Sequence, residues 1–440
     1  MTGESKKPRT AIITLGCRVN QYESEAIAGM LEKDGIEIVP FGTQADVTII
    51  NTCTVTAESD RKSRQHIRRA ASVSPNGKII VTGCFAQVSP EDAAIDGVSA
   101  VIGNAEKSRI PSLVRDLCEG REPETVILPS DLENAPYDTL TLPVPRRARA
   151  FIKIEDGCEN RCAYCIIPKA RGKVRSKDPR TVLCEAEALA HAGCSEITLT
   201  GIETGAYGRD SGGVFSLASL LADLAHVPGI RRIGLGSLDP SLMRDPFLET
   251  AASVPSLLPH FHLSLQSGST SVLNRMRRPY TAERAMERIE ALRRVFPAAM
   301  LTADVIVGFP GETEEEFAQT LDFCQKSNFL HLHIFPYSIR KGTEAAGMPN
   351  QVADGVKKAR AARLAEAQQQ IKAEILTQYV EEHRTAPVSL LIEEFKAGYA
   401  LGHSEHFVEL SAKANGYRVG DTVEVYLTDT DGETCTGVIR

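Results

Sequence analysis

The chain has 440 residues, 42% of them apolar and 24% charged, and a net charge of −7. That length exceeds one ordinary core and favours two or three domains, and the composition is that of a soluble globular protein. No apolar run approaches the ~20 residues that cross a bilayer, and the acidic balance speaks against one large nucleic-acid surface.

The first residues, Met1 to Arg9, lack the apolar core of a signal peptide. A cytoplasmic chain with no membrane partner is expected, and in that setting eleven cysteines point to metal or redox chemistry rather than staples. Arg9–Leu15 reads as a buried strand ending at Gly16-Cys17. Gln21 to Asp34 then carries helical spacing and stops at Gly35. Ala45–Ile50 reads as a second strand ending at Asn51-Thr-Cys53. A basic helical run follows, with Arg61, Lys62, Arg64, His66, Arg68 and Arg69, and Lys78–Val81 is a third strand ending at Gly83-Cys84. Each strand places a cysteine just past its C-terminal end, where open parallel sheets hold ligands. Cys17, Cys53 and Cys84 are thus placed to converge. Three separately buried thiols are the plain alternative, since cysteine is commonly buried.

A proline-containing stretch over 123–145 (Pro123, Pro129, Pro136, Pro143, Pro145) reads as a linker. It divides an α/β unit over 8–122 from a second over 146–376, and a third unit occupies 377–440. Phe151–Ile154 is the strand that feeds the next loop. There Cys158, Cys162 and Cys165 stand at Cys-x3-Cys-x2-Cys spacing, between Gly157 and Pro168. Thiolates three and four residues apart can turn inward on one cluster. Three do not saturate a four-iron cubane, which normally takes four cysteines. One iron is left for a ligand that is not protein. A structural zinc site wants four ligands, usually in close pairs, and Cys184 and Cys194 fall in a helix and at a helix end. A disulfide wants an oxidising compartment. Lys169, Arg171, Lys173, Arg175, Lys177 and Arg180 follow the loop. Charge runs are usually solvated faces, but two of them beside cysteine loops suit a phosphate-binding funnel.

Five further strands, Glu196–Thr200, Arg232–Leu235, His260–Leu265, Leu301–Val307 and His331–Phe335, alternate with helical stretches. Six strands in all predict an α/β fold with an open or partial (β/α)6 barrel, short of the closed eight. Ligands of such barrels bind at the C-terminal strand ends. Those ends carry Gly201-Ile-Glu203, Gly236-Ser237, Gln266-Ser-Gly268 and Gly308-Phe-Pro-Gly311. His260, His262, His331 and His333 alternate along strands and read as lining one face of a sheet. Gln351–Arg384 reads as a connecting helix. The remaining short strands, Val388–Ile392, His406–Ser411, Thr422–Leu427 and Thr434–Ile439, separated by glycines, predict a small β-barrel. Cys118, Cys184, Cys194, Cys324 and Cys435 receive no role.

The segments Thr14–Ser24, Asn51–Thr56, Thr82–Gln87, Gly157–Cys165, His262–Gly268 and Phe335–Ser338 together resemble the methylthiotransferases of the radical S-adenosylmethionine superfamily. The likeness spans nearly the whole chain. It implies an N-terminal parallel-sheet methylthiotransferase domain, a radical barrel, and a C-terminal TRAM barrel that grips RNA. Two [4Fe–4S] clusters are implied: a radical-generating one on Cys158, Cys162 and Cys165, with S-adenosyl-L-methionine on its open iron, and an auxiliary one on Cys17, Cys53 and Cys84. Gly201, Glu203, Ser237, Gln266 and Gly308 would contact the cofactor, and no catalytic residue beyond the cluster ligands is implied. Arg61, Arg64, Arg68, Arg171, Lys173 and Arg175 would meet RNA phosphates. The implied partners are tRNA, a reducing donor of flavodoxin or ferredoxin type, and a sulfur-supplying iron–sulfur assembly system.

Val19–Ser24, Thr54–Thr56 and Gly201–Gly208 are most similar to the MtaB-type branch, which thiomethylates N6-threonylcarbamoyladenosine beside the anticodon. The branches acting on isopentenyladenosine or a ribosomal-protein aspartate are the alternatives. A non-catalytic iron–sulfur carrier is the rival from another class. Arg161, Lys169 and Glu203 depart from the pattern, Glu203 standing where that branch often has histidine.

Overall fold

The computed structural model describes residues 7–121, 126–128, 131–138, 140 and 147–439. The N-terminal unit runs β1 (Arg9–Thr14), α1 (Arg18–Lys33), β2 (Glu37–Val39), β3 (Val47–Thr52), α2 (Ala57–Val73), β4 (Lys78–Gly83), α3 (Cys84–Val88), β5 (Ala100–Ile102) and β6 (Val126–Leu128). Its strands lie in the order β2-β1-β3-β4-β5-β6, and every pairing is parallel. Three strands were expected. The additional β2, β5 and β6 have three residues each, too few to show an alternating pattern. β6 falls in the stretch read as linker, and Pro123, Pro129, Pro143 and Pro145 lie outside the described residues. The first helix begins at Arg18 rather than Gln21, because Cys17 takes the N-cap with extended backbone. α2 is amphipathic: Ile67 and Ala70 are buried, Thr56 accepts from the Ser59 N–H, and Glu58 and Asp60 meet the positive helix end.

The second unit contains β7 (Arg149–Lys153), β8 (Glu155–Asp156), β9 (Arg175–Ser176), β10 (Glu196–Thr200), β11 (Arg232–Leu235), β12 (His260–Gln266), β13 (Met300–Val307) and β14 (His331–Pro336). Two parallel sheets, β11-β10-β7 and β12-β13-β14, are joined by the bridges Ile233–Leu257 and Leu238–Leu263. The result is the open six-stranded barrel expected. Phe261, Leu263, Leu301, Ala303, Val305 and Leu332 point outward into the main core. The alternate residues His260, His262, Thr302, Asp304 and His333 share the inner face. The histidines do line one face of a sheet, and that face is the barrel lumen.

β8 and β9 pair antiparallel across the neck of the cysteine loop. Gly157 holds φ +94° there, and a Cβ on it would stand 1.8 Å from the Lys173 carbonyl oxygen. Only glycine closes this neck.

A helix over Asp354–Glu382 leads to β15 (Val388–Lys396), β16 (Tyr399–His403), β17 (Glu409–Lys413), β18 (Thr422–Thr430) and β19 (Cys435–Ile439), which close in the order β15-β16-β17-β19-β18. The helix belongs to both units it joins. Leu364 sits in the main core and Arg360 donates to Glu312 at 2.7 Å, while Ile375, Leu376, Tyr379 and Val380 pack into the small barrel. The β16 strand was not expected. Its Leu401, Gly402 and His403 are only half-buried, which blurs the alternating pattern.

Candidate metal centre and cofactor pocket

β1, β3 and β4 are adjacent, and Thr14 pairs with Asn51 and Asn51 with Thr82. Cys17, Cys53 and Cys84 therefore leave one sheet edge side by side. Asparagines shape the loops: the Asn20 side-chain amide donates to the Leu15 and Thr52 carbonyls at 2.8 and 2.9 Å, and Asn51 donates to the Asn20 carbonyl at 2.9 Å. A Cβ on Gly16 would lie 2.9 Å from Cys53 Sγ, so glycine at φ +99° lets the first loop approach the second thiol. Cys53 and Cys84 are buried and Cys17 is exposed. Burial, with Cys84 beside it, pushes the Cys53 thiol up to about 11.

The other triad lies on its loop as the spacing predicts. The Cys158 N–H donates to the Gly172 carbonyl at 3.0 Å, and the Cys165 N–H to that of Cys162 at 3.1 Å. Arg278 Nη1 donates to Cys162 Sγ at 3.3 Å, and the Ile167 N–H to Cys165 Sγ at 3.4 Å. Burial pushes the thiols of Cys158 and Cys165 up to about 12, and the neighbouring thiols of the triad add to it. Thiols raised by burial stay protonated unless a metal takes the place of the proton. Three of them with hydrogen-bond donors at sulfur fit a thiolate-held cluster, and a fourth cysteine is not present in the loop.

The triads share one space. A short helix, Ile167–Arg171, follows Cys165, and its last residue donates from Nε to Cys84 Sγ at 3.3 Å. Asn104 reaches both Cys84 Sγ (3.8 Å) and the Ala170 carbonyl (2.7 Å). Arg340, after β14, ties the Cys53 loop down through Thr54 (2.6 Å) and Asp60 (2.7 Å).

Behind Cys84 lies a buried ionic network in which Lys107, Lys153 and Arg171 surround Glu23 and Asp156. Three cations against two carboxylates leave positive charge next to the triad, which suits an anionic cluster. Removing one partner of such a buried set costs about 3–5 kcal/mol, because a charge is left uncompensated.

That network corrects one expectation. Arg171 is fully buried, so it meets no phosphate, and neither does Arg175, which is 11% exposed and donates to the Arg171 carbonyl at 2.8 Å. Lys173 is 59% exposed and paired with Glu133. Arg61 and Arg68 are exposed on α2, Arg61 beside Glu58, and Arg64 lies half-buried over the Phe85 ring. Charge composition alone does not distinguish a buried counter-charge from a solvated one.

The strand-end residues differ among themselves. Gly201 closes β10 tightly, a Cβ there standing 2.6 Å from Glu155 Oε2. The Glu203 N–H donates to the same carboxylate at 2.8 Å, and Asn160, in the cysteine loop, donates to Glu203 Oε2 at 2.9 Å. Glu203 Oε1 is buried with no partner among the described residues. Burial and then Asp239 push this carboxyl up to about 7, against Arg278. Ser237 is half-buried after β11. Gln266 ends β12 at φ +71°, beyond a register shift, a conformation that costs a non-glycine residue and clusters at ligand sites. Gly308 has φ +72°, and the space for a Cβ is filled by Lys357 at 2.4 Å. Its glycine is explained by a turn against the long helix rather than by a ligand. Sequence reasoning missed Arg278, held by Asp239 at 2.6 Å, and Arg18 and Asp304 of the lumen. No motif singles out a charged residue whose partner is remote in sequence.

Residues 9–103 match the family described as uncharacterized protein family UPF0004, and residues 152–324 match the radical SAM superfamily. The threonylcarbamoyladenosine tRNA methylthiotransferase MtaB of Bacillus subtilis (strain 168) is 42% identical over 94% of this chain and 92% of its own length. That of Aquifex aeolicus (strain VF5) is 36% identical over 95% and 100%. The tRNA-2-methylthio-N(6)-dimethylallyladenosine synthase of Thermobifida fusca (strain YX) is 37% identical over 83% and 75%. Among solved structures, the radical S-adenosylmethionine methyltransferase TsrM from Kitasatospora setae superposes with a TM-score of 0.57, at 15% identity, over 78% of this chain and 77% of that one, a likeness of fold. Superfamily membership carries with it a [4Fe–4S] cluster and S-adenosylmethionine. With a parallel-sheet unit, a radical barrel and a closed five-stranded barrel in series, the chain belongs to the radical S-adenosylmethionine methylthiotransferases, in their MtaB-type branch.

Proposed function

We propose that the protein converts N6-threonylcarbamoyladenosine beside the anticodon of tRNA into its 2-methylthio derivative. The observation that carries the chemistry is the meeting of two cysteine triads, one from three strand ends and one from a single loop, and the likeness to the two MtaB relatives, at 42% and 36% identity, supports the substrate. We assign Cys158, Cys162 and Cys165 to the superfamily's cluster and Cys17, Cys53 and Cys84 to a second. Carbon 2 of adenine bears an unactivated C–H bond beyond the reach of a side-chain base; S-adenosylmethionine bound at the Cys158, Cys162 and Cys165 cluster would supply hydrogen-atom abstraction, a cluster on Cys17, Cys53 and Cys84 would supply sulfur, and a second S-adenosylmethionine would supply the methyl group.

The chain's own residues bind, orient and shield. Arg278 and the Ile167 N–H neutralise thiolate charge at the first triad, and Arg171 does so at the second. Glu203, with one carboxylate oxygen unpartnered beside the loop, is our candidate to accept from the cofactor's amino N–H, and Gln266 and Ser237 line the same rim of strand ends. Exposed Arg61 and Arg68 on α2, with Lys173, are our candidates for RNA phosphates, whose contribution falls as salt rises. A flavodoxin- or ferredoxin-type donor would supply electrons, and an iron–sulfur assembly system would replace the sulfur spent. No helix among the described residues is long and apolar enough to cross a membrane, in keeping with work on tRNA in the cytoplasm.

Mass spectrometry of tRNA nucleosides from a strain lacking the protein tests the reading. The 2-methylthio form should disappear and N6-threonylcarbamoyladenosine accumulate. Loss of 2-methylthio-dimethylallyladenosine instead would overturn it.

A further inference from the structure

A cavity of about 240 Å³ lies between the inner face of β12–β14, the start of α1 and the C-terminal barrel. At about 30 Å³ per molecule it holds about eight waters, room for a group the size of an amino acid. Its wall is rich in imidazoles and cations. His260 and His262 come from β12, His333 from β14, Arg18 from the first turn of α1 and Lys372 from the long helix, and Phe407 stacks on His260 at 4.5 Å.

The carboxylates of this wall already have partners. Glu433 holds Lys372 at 2.7 Å, Asp304 stands 3.2 Å from His262 Nε2, and Glu409 stands 3.9 Å from His403. Arg18 differs. Among the described residues no carboxylate comes within 4.0 Å of its guanidinium, which lies 5.8 Å from the Phe151 ring centroid. A half-buried guanidinium without a counter-ion, opening on a cavity, is a place for an anion.

His262, Asp304 and His333 offer ligand atoms within 4.8 Å of one another. A cation there would face Arg18 and Lys372, and His262 is already held by Thr302 at 2.8 Å and by Asp304. The wall's other fixed charges offset one another, Lys372 being held by Glu433, so it is the guanidinium of Arg18, with no carboxylate within 4.0 Å among the described residues, that calls for an anionic occupant.

The function proposed above provides one, and this inference rests on that reading. A threonylcarbamoyl group ends in a carboxylate and carries a hydroxyl. On adenine, N6 projects from the carbon on the far side of N1 from carbon 2. A base with carbon 2 toward the Cys17, Cys53 and Cys84 triad therefore holds its N6 substituent close by, and Arg18 is the residue next to Cys17. We propose that this cavity receives the threonylcarbamoyl group, with Arg18 binding its carboxylate and the exposed His333 donating to its hydroxyl or carbamoyl oxygen. Arg18 and His333 are then specificity-determining residues, because a site built around a half-buried, unpaired charge disfavours a ligand that lacks the matching one.

The test is equilibrium binding by fluorescence anisotropy, on the cluster-loaded full chain, of three anticodon stem-loops. One carries threonylcarbamoyladenosine, one the same group with its carboxylate capped as the carboxamide, and one unmodified adenosine. The unaltered protein should bind the acid at least about tenfold more tightly than the amide, the loss expected when a charged hydrogen-bond partner goes. Arg18→Gln should bind acid and amide alike, and Arg18→Lys should restore part of the preference. Arg18 adjoins a cysteine ligand, so His333→Phe is the second variant; it sits on another element and should also shrink the ratio. Iron content per chain checks that each variant is assembled. An undiminished acid-over-amide ratio in both variants overturns the assignment, as does an unaltered protein indifferent to the cap while still preferring the modified loop. A protein that binds all three loops equally overturns this inference and the proposed substrate together.

Discussion

Glu203 shows how much one side chain's surroundings decide. Its backbone N–H is held by Glu155 and one oxygen by Asn160, which leaves the other oxygen buried and free. Its carboxyl is pushed up to about 7 by burial and Asp239, so it is largely neutral below that pH and anionic above it. If the free oxygen accepts from the cofactor's amino group, S-adenosylmethionine affinity should rise with pH through about 7. Glu203→Gln should flatten that profile and weaken binding at pH 8 by roughly tenfold, about 1.4 kcal/mol, measured by isothermal calorimetry on cluster-loaded protein. A variant with the original slope would remove Glu203 from the pocket. Arg171 makes the converse point: a basic residue in a basic run serves as a buried counter-charge because the helix that carries it is pressed against Cys84.

At the scale of elements, the division of labour follows which faces are left uncovered. The small barrel buries Val388, Leu390, Ile392, Leu410 and Val425 in its own core, yet Phe395 and Tyr399 at the β15–β16 turn remain 41% and 45% exposed, with Lys396 between them. Aromatic rings beside a cation suit unstacked bases of a single-stranded loop, at about 1–3 kcal/mol per stacked base. Replacing both Phe395 and Tyr399 by Ala should weaken anticodon stem-loop binding about tenfold or more, read by filter binding with the iron content as a check on folding. Unchanged affinity would show that RNA does not lie on this turn. The helix over Asp354–Glu382 transmits the position of that barrel, since one end is clamped by Arg360 to Glu312 and the other is packed into the barrel core.

At the scale of the molecule, the two triads come from different units and are brought together by the Glu23, Lys107, Lys153, Asp156 and Arg171 network and by Arg340. Their jobs should still separate. Replacing Cys17, Cys53 and Cys84 together by Ala should remove about four irons and abolish thiomethylation, while reduced protein still yields 5′-deoxyadenosine from S-adenosylmethionine. Replacing Cys158, Cys162 and Cys165 should remove about four irons as well and stop that cleavage. Full iron and persistent thiomethylation in the first triple variant would reduce those thiols to buried core residues.

Local sequence was enough for whatever depends on short-range geometry. The Cys-x3-Cys-x2-Cys loop, the repeated strand–cysteine–helix unit and the six barrel strands each follow from spacing or alternation over a few residues. Tertiary structure alone decided which residues face each other across the units. Composition reads Arg171 and Arg175 as surface charge, whereas Glu23, Asp156 and Cys84, remote along the chain, draw Arg171 inside and hold Arg175 at the edge of the same network. His262 and His333 alternate along their strands as expected, but only closure of the lumen by α1 and the small barrel puts Arg18 opposite them. The physical reason is the range of the interactions. Backbone geometry and side-chain periodicity act between near neighbours, whereas burial and ion pairing depend on the whole chain's arrangement in space.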